Sequence, residues 1–150
     1  MLNTEINIAI VVSTYNVSIT KKLLQGTLTT LIKSGISKTQ IKTFKVPGAI
    51  EIPLTAKLLA ISNKYHAIIC LGAVIRGETN HYEYVCQQVS HGCQQVMLEF
   101  KLPIIFGVLT TENIKQAEQR VSKLKEHKGV EAAHTAIQMI QLVELIHNDS

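Results

Sequence analysis

The sequence predicts an α/β protein in three layers, a parallel sheet between two layers of helices. Short aliphatic runs alternate along the chain with longer stretches whose apolar residues recur every three or four positions, which is the alternation of strands and helices. The segments between the runs are long enough for right-handed βαβ crossovers. With 150 residues, of which 46% are hydrophobic, we expect one domain, residues 1–150, with a substantial core.

Four strands are predicted, at residues 6–12, 41–46, 65–75 and 103–109. The first is rich in β-branched residues and ends in the turn-forming residues of STYN at 13–16. The apolar segment at 67–71 is typical of a strand buried on both faces. If the connections reverse direction after the second strand, the sheet order is 2-1-3-4, which is a flavodoxin-like arrangement.

Helices are predicted at residues 18–34, 52–60, 81–100, 114–125 and 130–147. Ser18 is the predicted N-cap of the first helix, and Gly35 is its predicted stop. The second helix carries a proline in its first turn, where proline is tolerated. Residues 110–113 offer caps for the fourth helix, and Gly129 is expected to separate the last two.

Charge and hydropathy exclude several classes of protein. The net charge of +4 is modest and no Lys/Arg tract is interleaved with aromatic residues, so a nucleic-acid partner is not expected and an RNA-binding protein is the weakest alternative. No apolar run approaches the roughly 18 to 20 residues that span a bilayer. Residues 1–6 lack a basic region followed by a signal core, so we expect a cytoplasmic protein without membrane association.

The three cysteines, Cys70, Cys86 and Cys93, do not have the spacing of a metal site or of a disulfide framework. We expect small buried hydrophobic residues and no metal site.

The densest group of catalysis-capable side chains follows the third predicted strand. Arg76, Glu78 and Thr79 lie in a loop that contains Gly77 and leads into a helix, a combination that suits a phosphate group. An imidazole beside an anion site makes His81 the strongest acid/base candidate among the six histidines. The alternative is that these are solvated loop charges and a histidine at a helix start.

Other strand ends add further candidates, each with a plainer alternative. Tyr15 offers a flat face for a planar heterocycle, or it is a packing residue. Glu51 accepts hydrogen bonds from ligand hydroxyls, or it is a favourable charge at a helix start. Arg120 clamps a phosphate, or it and Lys128 are surface charges. The residues alone therefore predict an anionic or phosphate-bearing small molecule with an aromatic ring.

Four longer motifs carry a resemblance to a known family. Residues 46–53 (VPGAIEIP), 72–85 (GAVIRGETNHYEYV), 103–113 (PIIFGVLTTEN) and 128–133 (KGVEAA) resemble those of the 6,7-dimethyl-8-ribityllumazine synthases, in the same order and over nearly the whole chain. The resemblance implies condensation of 5-amino-6-(D-ribitylamino)uracil with 3,4-dihydroxy-2-butanone 4-phosphate, which gives the lumazine, phosphate and water. This is the penultimate step of riboflavin biosynthesis, and the resemblance implies no metal or organic cofactor.

The resemblance also implies roles for individual residues. Tyr15 would stack on the pyrimidine, His81 would shuttle protons, and Phe106 would wall the pocket from a neighbouring subunit. The ribitylaminouracil site would comprise Tyr15, Ala49, Ile50, Glu51, Ala73, Val74, Ile75 and Phe106. Butanone phosphate would bind at Glu78, Thr79 and Arg120, with Asn16, Arg76 and Lys128 in support.

The expected assembly is a homopentamer with active sites between adjacent subunits, since this is what the resemblance implies. Some family members pack twelve pentamers into an icosahedral shell. Here Glu126 and His127 stand before Lys128 where shell-forming members commonly carry Gly-Asn, so the sequence leaves pentamer, decamer and shell open. Riboflavin synthase is a candidate partner.

Three other functions remain as alternatives. An archaeal-type riboflavin synthase is the runner-up among enzymes, but the intact motif from Arg76 to His81 favours the lumazine reaction. A non-catalytic lumazine or flavin carrier would be expected to have lost His81 or Arg120. A generic nucleotide-binding module would be expected to show a glycine-rich phosphate loop after the first strand, where this chain has STYN.

Overall fold

The computed structural model describes residues 5–123 and 125–149. One parallel sheet in the order β2-β1-β3-β4 is formed by β1 (Ile8–Ser13), β2 (Ile41–Val46), β3 (Ala67–Ile75) and β4 (Ile104–Thr111). The helices are α1 (Val17–Lys33), α2 (Ile52–Ile61), α3 (His81–Phe100), α4 (Ile114–Gln119) and α5 (Lys128–Asn148). The predicted fold class and strand order are confirmed.

The inner strands β1 and β3 are buried on both faces over most of their length, whereas the outer strand β2 exposes Lys42, Thr43 and Lys45. Alternate residues of an inner strand enter different halves of the core. Along β1, Ile8 and Ile10 pack with residues of α1 and α5, whereas Ala9 and Val11 pack with residues of α2 and α3. All four of these side chains are fully buried. Because burial of one large aliphatic side chain contributes about 1.5–3 kcal/mol, this double core holds the strand ends in fixed positions.

Helices α1 and α5 approach closely at Gly129. A Cβ atom at this position would lie 2.3 Å from the carbonyl oxygen of Leu23, so only glycine fits. The hydroxyl of Thr27 donates to the carbonyl oxygens of Leu23 and Gly129, both at 2.9 Å. The prediction that Gly129 separates two helices was therefore wrong, because this glycine lies inside α5 and permits helix packing.

A capping side chain marks the start of α5, and a change of backbone conformation marks the start of α1. The imidazole Nδ1 of His127 accepts hydrogen bonds from the backbone N–H groups of Gly129 at 3.1 Å and Val130 at 3.4 Å, so α5 begins at Lys128. Helix α1 begins at Val17, and its N-cap is Asn16 with φ of 60°, which corrects the prediction of Ser18. Gly35 follows α1 with φ of 101°, as expected of a glycine stop.

The fourth helix is shorter than predicted. It ends at Gln119, because the chain then folds back so that the N–H of Lys128 donates to the carbonyl oxygen of Arg120 at 2.8 Å. Val121 is buried in the core beside this turn. The bounds of the other predicted elements differ from the structure by at most two residues, apart from two unpredicted one-turn 3₁₀ helices at Lys38–Gln40 and Ala49–Glu51.

Two further expectations concern the cysteines and the membrane. Cys70 and Cys93 are buried as predicted, whereas Cys86 is only partly buried. Among the residues described, no helix is long and apolar enough to cross a bilayer.

Candidate active site

A cavity of about 360 Å³ lies where the carboxyl ends of β1 and β3 meet the loop after β2. This is the position at which open α/β sheets bind ligands, and the volume is within the range of small-molecule sites. Its described lining, which we call the cleft, is Tyr15, Asn16, Gly48, Ala49, Ile50, Glu51, Ala73, Val74, Ile75, Gly77, Thr79, His81, Tyr82 and Val85.

Backbone hydrogen bonds hold the β1 and β2 sides of the cleft together. The N–H of Thr14 donates to the carbonyl oxygen of Val46 at 2.8 Å, and that of Tyr15 donates to Pro47 at 3.2 Å. The side-chain amide nitrogen of Asn16, Nδ2, also donates to the carbonyl oxygen of Ala73 at 2.9 Å, which ties the end of β1 to β3. The loop that carries Tyr15 is therefore fixed against both neighbouring strands.

Apolar surface is exposed on this side of the cleft. Tyr15 is 70% exposed and Ile50 is 41% exposed. Ala49 is buried and begins the 3₁₀ helix that carries Glu51 and runs directly into α2. A planar ring can bury this surface, while the carboxylate of Glu51 remains free to accept hydrogen bonds.

The opposite wall is the start of α3, where several backbone N–H groups lack a helical partner. His81 is the first residue of the helix, and its N–H donates to the hydroxyl of Thr79 at 3.3 Å. The N-cap residue, Asn80, makes no side-chain capping hydrogen bond. Such a helix terminus favours an anion, because unpaired N–H groups and the helix dipole both face it.

Arg76 and Glu78 are placed differently from the rest of the predicted loop, since neither is among the described cleft residues. The guanidinium of Arg76 pairs with Glu112 and with Glu83, the latter at 3.4 Å, and its Cζ atom lies 4.5 Å from the ring centroid of Tyr82. The hydrogen bond to Glu112 is the largest of the interactions that raise the pKa of Arg76. Thr79 and His81, by contrast, do line the cleft.

Phe106, Arg120 and Lys128 lie outside the cleft. Phe106 is the third residue of β4, opposite Cys70, and therefore lies within the strand and not at its carboxyl end. It lines a separate cavity of about 360 Å³ with Lys128 and Glu131. Glu131 pairs with Arg120 at 3.7 Å and with Lys128 at 3.5 Å. We call Phe106, Arg120, Lys128 and Glu131 the β4-edge cluster, because β4 is an outer strand of the sheet.

Sequence reasoning did not assign four of the described cleft residues to the site, namely Gly48, Gly77, Tyr82 and Val85. Val85 lies one helical turn after His81, so helical periodicity places both on one face and could have indicated it. Burial raises the pKa of the Tyr82 hydroxyl, which therefore stays protonated at neutral pH. Within residues 5–123 and 125–149, no three His, Cys, Asp or Glu side chains are grouped so as to hold a metal ion.

The fold and the cleft are those of an α/β protein with a small-molecule cavity at the carboxyl ends of parallel strands, lined by an aromatic ring, a histidine and the start of a helix. The family model of 6,7-dimethyl-8-ribityllumazine synthase matches residues 5–144. Curated proteins of that description from Coxiella burnetii strains CbuG_Q212 and RSA 493 are each 55% identical over 146 residues, which is 97% of this chain and 97% of theirs. The chain belongs to the 6,7-dimethyl-8-ribityllumazine synthase family, and its activity is that of a lumazine synthase, a transferase of riboflavin biosynthesis.

Proposed function

We propose that the cleft holds 5-amino-6-(D-ribitylamino)uracil between Tyr15 and the end of β3, with the butanone phosphate beside His81. The observation that carries this assignment is that Tyr15, Glu51, Thr79 and His81, which come from three separate parts of the chain, line one cavity. That cavity offers an aromatic face, a carboxylate, a helix start and an acid/base group within a single small volume.

The pyrimidine and its side chain would use the β1, β2 and β3 side of the cleft. The exposed ring of Tyr15 stacks on the pyrimidine, and the residues from Ala73 to Ile75 line its edges. Glu51 accepts hydrogen bonds from the ribityl hydroxyls, while Ala49 and Ile50 lie along that chain. The 3₁₀ helix fixes the carboxylate because it continues directly into α2.

The phosphate and the proton transfers would use the start of α3. Backbone N–H groups around Glu78 and Thr79 bind the phosphate. The side chain of Glu78 is exposed and is not among the described cleft residues. His81 moves protons as the amine of the pyrimidine attacks the ketone, as water leaves to give the imine, and as phosphate is eliminated. Holding the two reactants in contact supplies most of the acceleration, since an aromatic amine and a reactive ketone already tend to condense.

The β4-edge cluster would complete the cleft of a neighbouring subunit. No lysine or arginine is among the described cleft residues, whereas Arg120 and Lys128 are gathered by Glu131 beside Phe106 at an outer strand. We propose that Arg120 clamps the phosphate and that Phe106 covers the pyrimidine across the subunit contact, with Lys128 in support. The assembly is a homopentamer, and larger shells are built from it where the contacts allow.

Exposed apolar side chains support obligate assembly. Leu54, Leu58 and Ile61 recur along one face of α2 and are 65%, 59% and 58% exposed. Leu98 of α3 is 65% exposed. An apolar stripe of this kind commonly marks a protein interface, which accords with sites shared between copies of the chain. We place the enzyme in the cytoplasm as a single-domain protein and propose riboflavin synthase as a partner that takes up its product.

Subunit complementation tests the shared site. Tyr15→Ala damages the cleft and Arg120→Ala damages the edge cluster, so each variant alone should be slow. When the two are unfolded together and reassembled, roughly one quarter of the contacts should join an intact cleft to an intact edge cluster, and activity should rise above that of either variant. Additive activity with no recovery would show that both residues act within one subunit.

A simpler assay tests the reaction itself. Lumazine absorbance and fluorescence are followed after purified protein is mixed with both substrates, against a blank without protein. Acceleration supports the assigned roles when it falls in the Tyr15 and His81 variants. Tight lumazine binding without acceleration would instead establish the carrier function.

A further inference from the structure

We infer that Arg76 is a positioning residue, which holds the phosphate-binding loop at residues 77–80 and the start of α3 in place without touching substrate. The inference deepens the proposed function and rests on it for the identity of the loop's ligand. Its structural basis is independent of that ligand.

Arg76 joins three elements through one guanidinium group. Arg76 directly follows β3, and its backbone N–H donates to the carbonyl oxygen of Thr111 at 2.9 Å. Its side chain pairs with Glu112 just after β4 and with Glu83 in the first turn of α3, while the guanidinium covers the ring of Tyr82. The two ends of the loop are therefore fastened to each other and to the neighbouring strand end.

The loop has few other restraints. The N-cap residue Asn80 makes no side-chain capping bond, and no heavy atom lies within 4 Å of where a Cβ of Gly77 would be. Two further hydrogen bonds at the helix start are local and do not fix the loop against the sheet: the N–H of His81 donates to Thr79, and the N–H of Glu83 donates to the carbonyl oxygen of Asn80 at 3.2 Å. Tyr82 also hydrogen-bonds Thr110 of β4, but it follows the loop, in the first turn of α3.

The partners of Arg76 explain why it does not serve as a phosphate ligand. Its Nε and Nη2 atoms already donate to two carboxylates, and the residue is absent from the described lining of the cleft. The single positive charge of the guanidinium also offsets part of the negative charge of Glu83 and Glu112. A lysine at this position would pair with one carboxylate at a time, because an ammonium group lacks the planar fork of guanidinium.

Steady-state kinetics of Arg76→Ala and Arg76→Lys test the inference. For Arg76→Ala we expect kcat/KM for the butanone phosphate to fall about tenfold, while KM for the pyrimidine stays within about twofold, because β1 and residues 49–51 bind the pyrimidine. Arg76→Lys should fall between this variant and the original protein. The matched control is Lys57→Ala, which removes an exposed ion pair to Glu99 on α3 at 3.6 Å, remote from the cleft lining. Equal losses for both substrates, or a control that loses as much, would overturn the positioning role.

Hydrogen exchange separates this inference from the proposed function. In Arg76→Ala the backbone amides of residues 77–83 should exchange faster than in the original protein, and in Lys57→Ala they should not. Unchanged exchange in Arg76→Ala would contradict the inference even if catalysis fell. Suppose that the original protein failed to accelerate the reaction but that exchange at residues 77–83 was still faster in Arg76→Ala. The positioning role of Arg76 would then be supported, and the substrate assigned to the loop would be wrong.

Discussion

The cleft and the β4-edge cluster differ in the residues that they bring together. In the cleft, a cavity, an aromatic ring and a histidine are present, but none of the described lining residues is a lysine or an arginine. In the edge cluster, two cations and a phenylalanine come together, but the cations are already paired with Glu131. The difference teaches that a strand end can enclose a reactant, whereas a strand edge presents charge outward to whatever docks there.

Replacing His81 should produce the largest effect. We expect His81→Ala to lower kcat about 100-fold, because one general acid/base group contributes at least this factor while positioning of the substrates remains. The enzyme should be slow rather than inactive in the lumazine assay. The control is His91→Ala, which removes an exposed histidine of the same helix outside the cleft. Unaltered turnover in His81→Ala would remove this residue from the chemistry.

Arg120→Ala should act mainly on one substrate. A charge-assisted bond to phosphate is worth about 2 kcal/mol, so kcat/KM for the butanone phosphate should fall about 30-fold, and KM for the pyrimidine should change little. Lys33→Ala, an exposed cation at the end of α1, serves as the comparison. A loss confined to pyrimidine binding would contradict the phosphate clamp and leave the edge cluster without its proposed role.

Gly129→Ala probes the packing that carries the edge cluster. The added methyl group would meet the carbonyl oxygen of Leu23, so the free energy of unfolding should fall by about 1–3 kcal/mol. Urea denaturation measures this change. Gly77→Ala is the control, because no heavy atom lies within 4 Å of its added Cβ and stability should be preserved. If both variants were equally stable, the close approach of α1 and α5 would not be restrictive.

The smallest effect concerns His127 at the start of α5. Burial lowers the pKa of His127, and its Nδ1 can accept the two capping hydrogen bonds only when unprotonated. The capping contribution is therefore complete above the ordinary histidine pKa of about 6.5 and is lost as pH falls below it toward the lower folded pKa.

This pH dependence can be isolated by substitution. The urea midpoint of the original protein should drop between about pH 7.5 and 5, whereas His127→Asn keeps a capping acceptor that does not titrate and should show a flatter profile. Parallel profiles would show that His127 does not cause the loss.

Sequence patterns predicted the inner strands well because burial on both faces requires a continuous run of apolar residues. The strand at residues 41–46 and the helix at 81–100 have the predicted bounds, and the order 2-1-3-4 followed from crossover rules. The errors arose where tertiary contacts override local chemistry. Local sequence alone predicts that Gly129 interrupts a helix, but in the fold it lies within α5 and packs against the backbone of Leu23.

The candidate site was predictable in part for the same reason. Residues that follow buried strands, such as Tyr15 and the loop before His81, necessarily meet at one edge of a parallel sheet. Tyr82 and Val85 were missed because their role depends on which face of α3 turns toward the cleft. The position of Phe106 within β4, away from the cleft of its own subunit, agrees with the strand predicted at residues 103–109.

The tight contact between α1 and α5 has a consequence for how such an enzyme would keep its sites uniform. Helix α1 starts directly after Tyr15 and Asn16, and it is locked to the first turn of α5, which bears Lys128 and Glu131. The distance between the cleft loop and the β4-edge cluster is therefore fixed within each subunit. In a closed ring, one docking angle would then set every active site at once, and a substitution far from any substrate, at a subunit contact, would alter catalysis at all of them together.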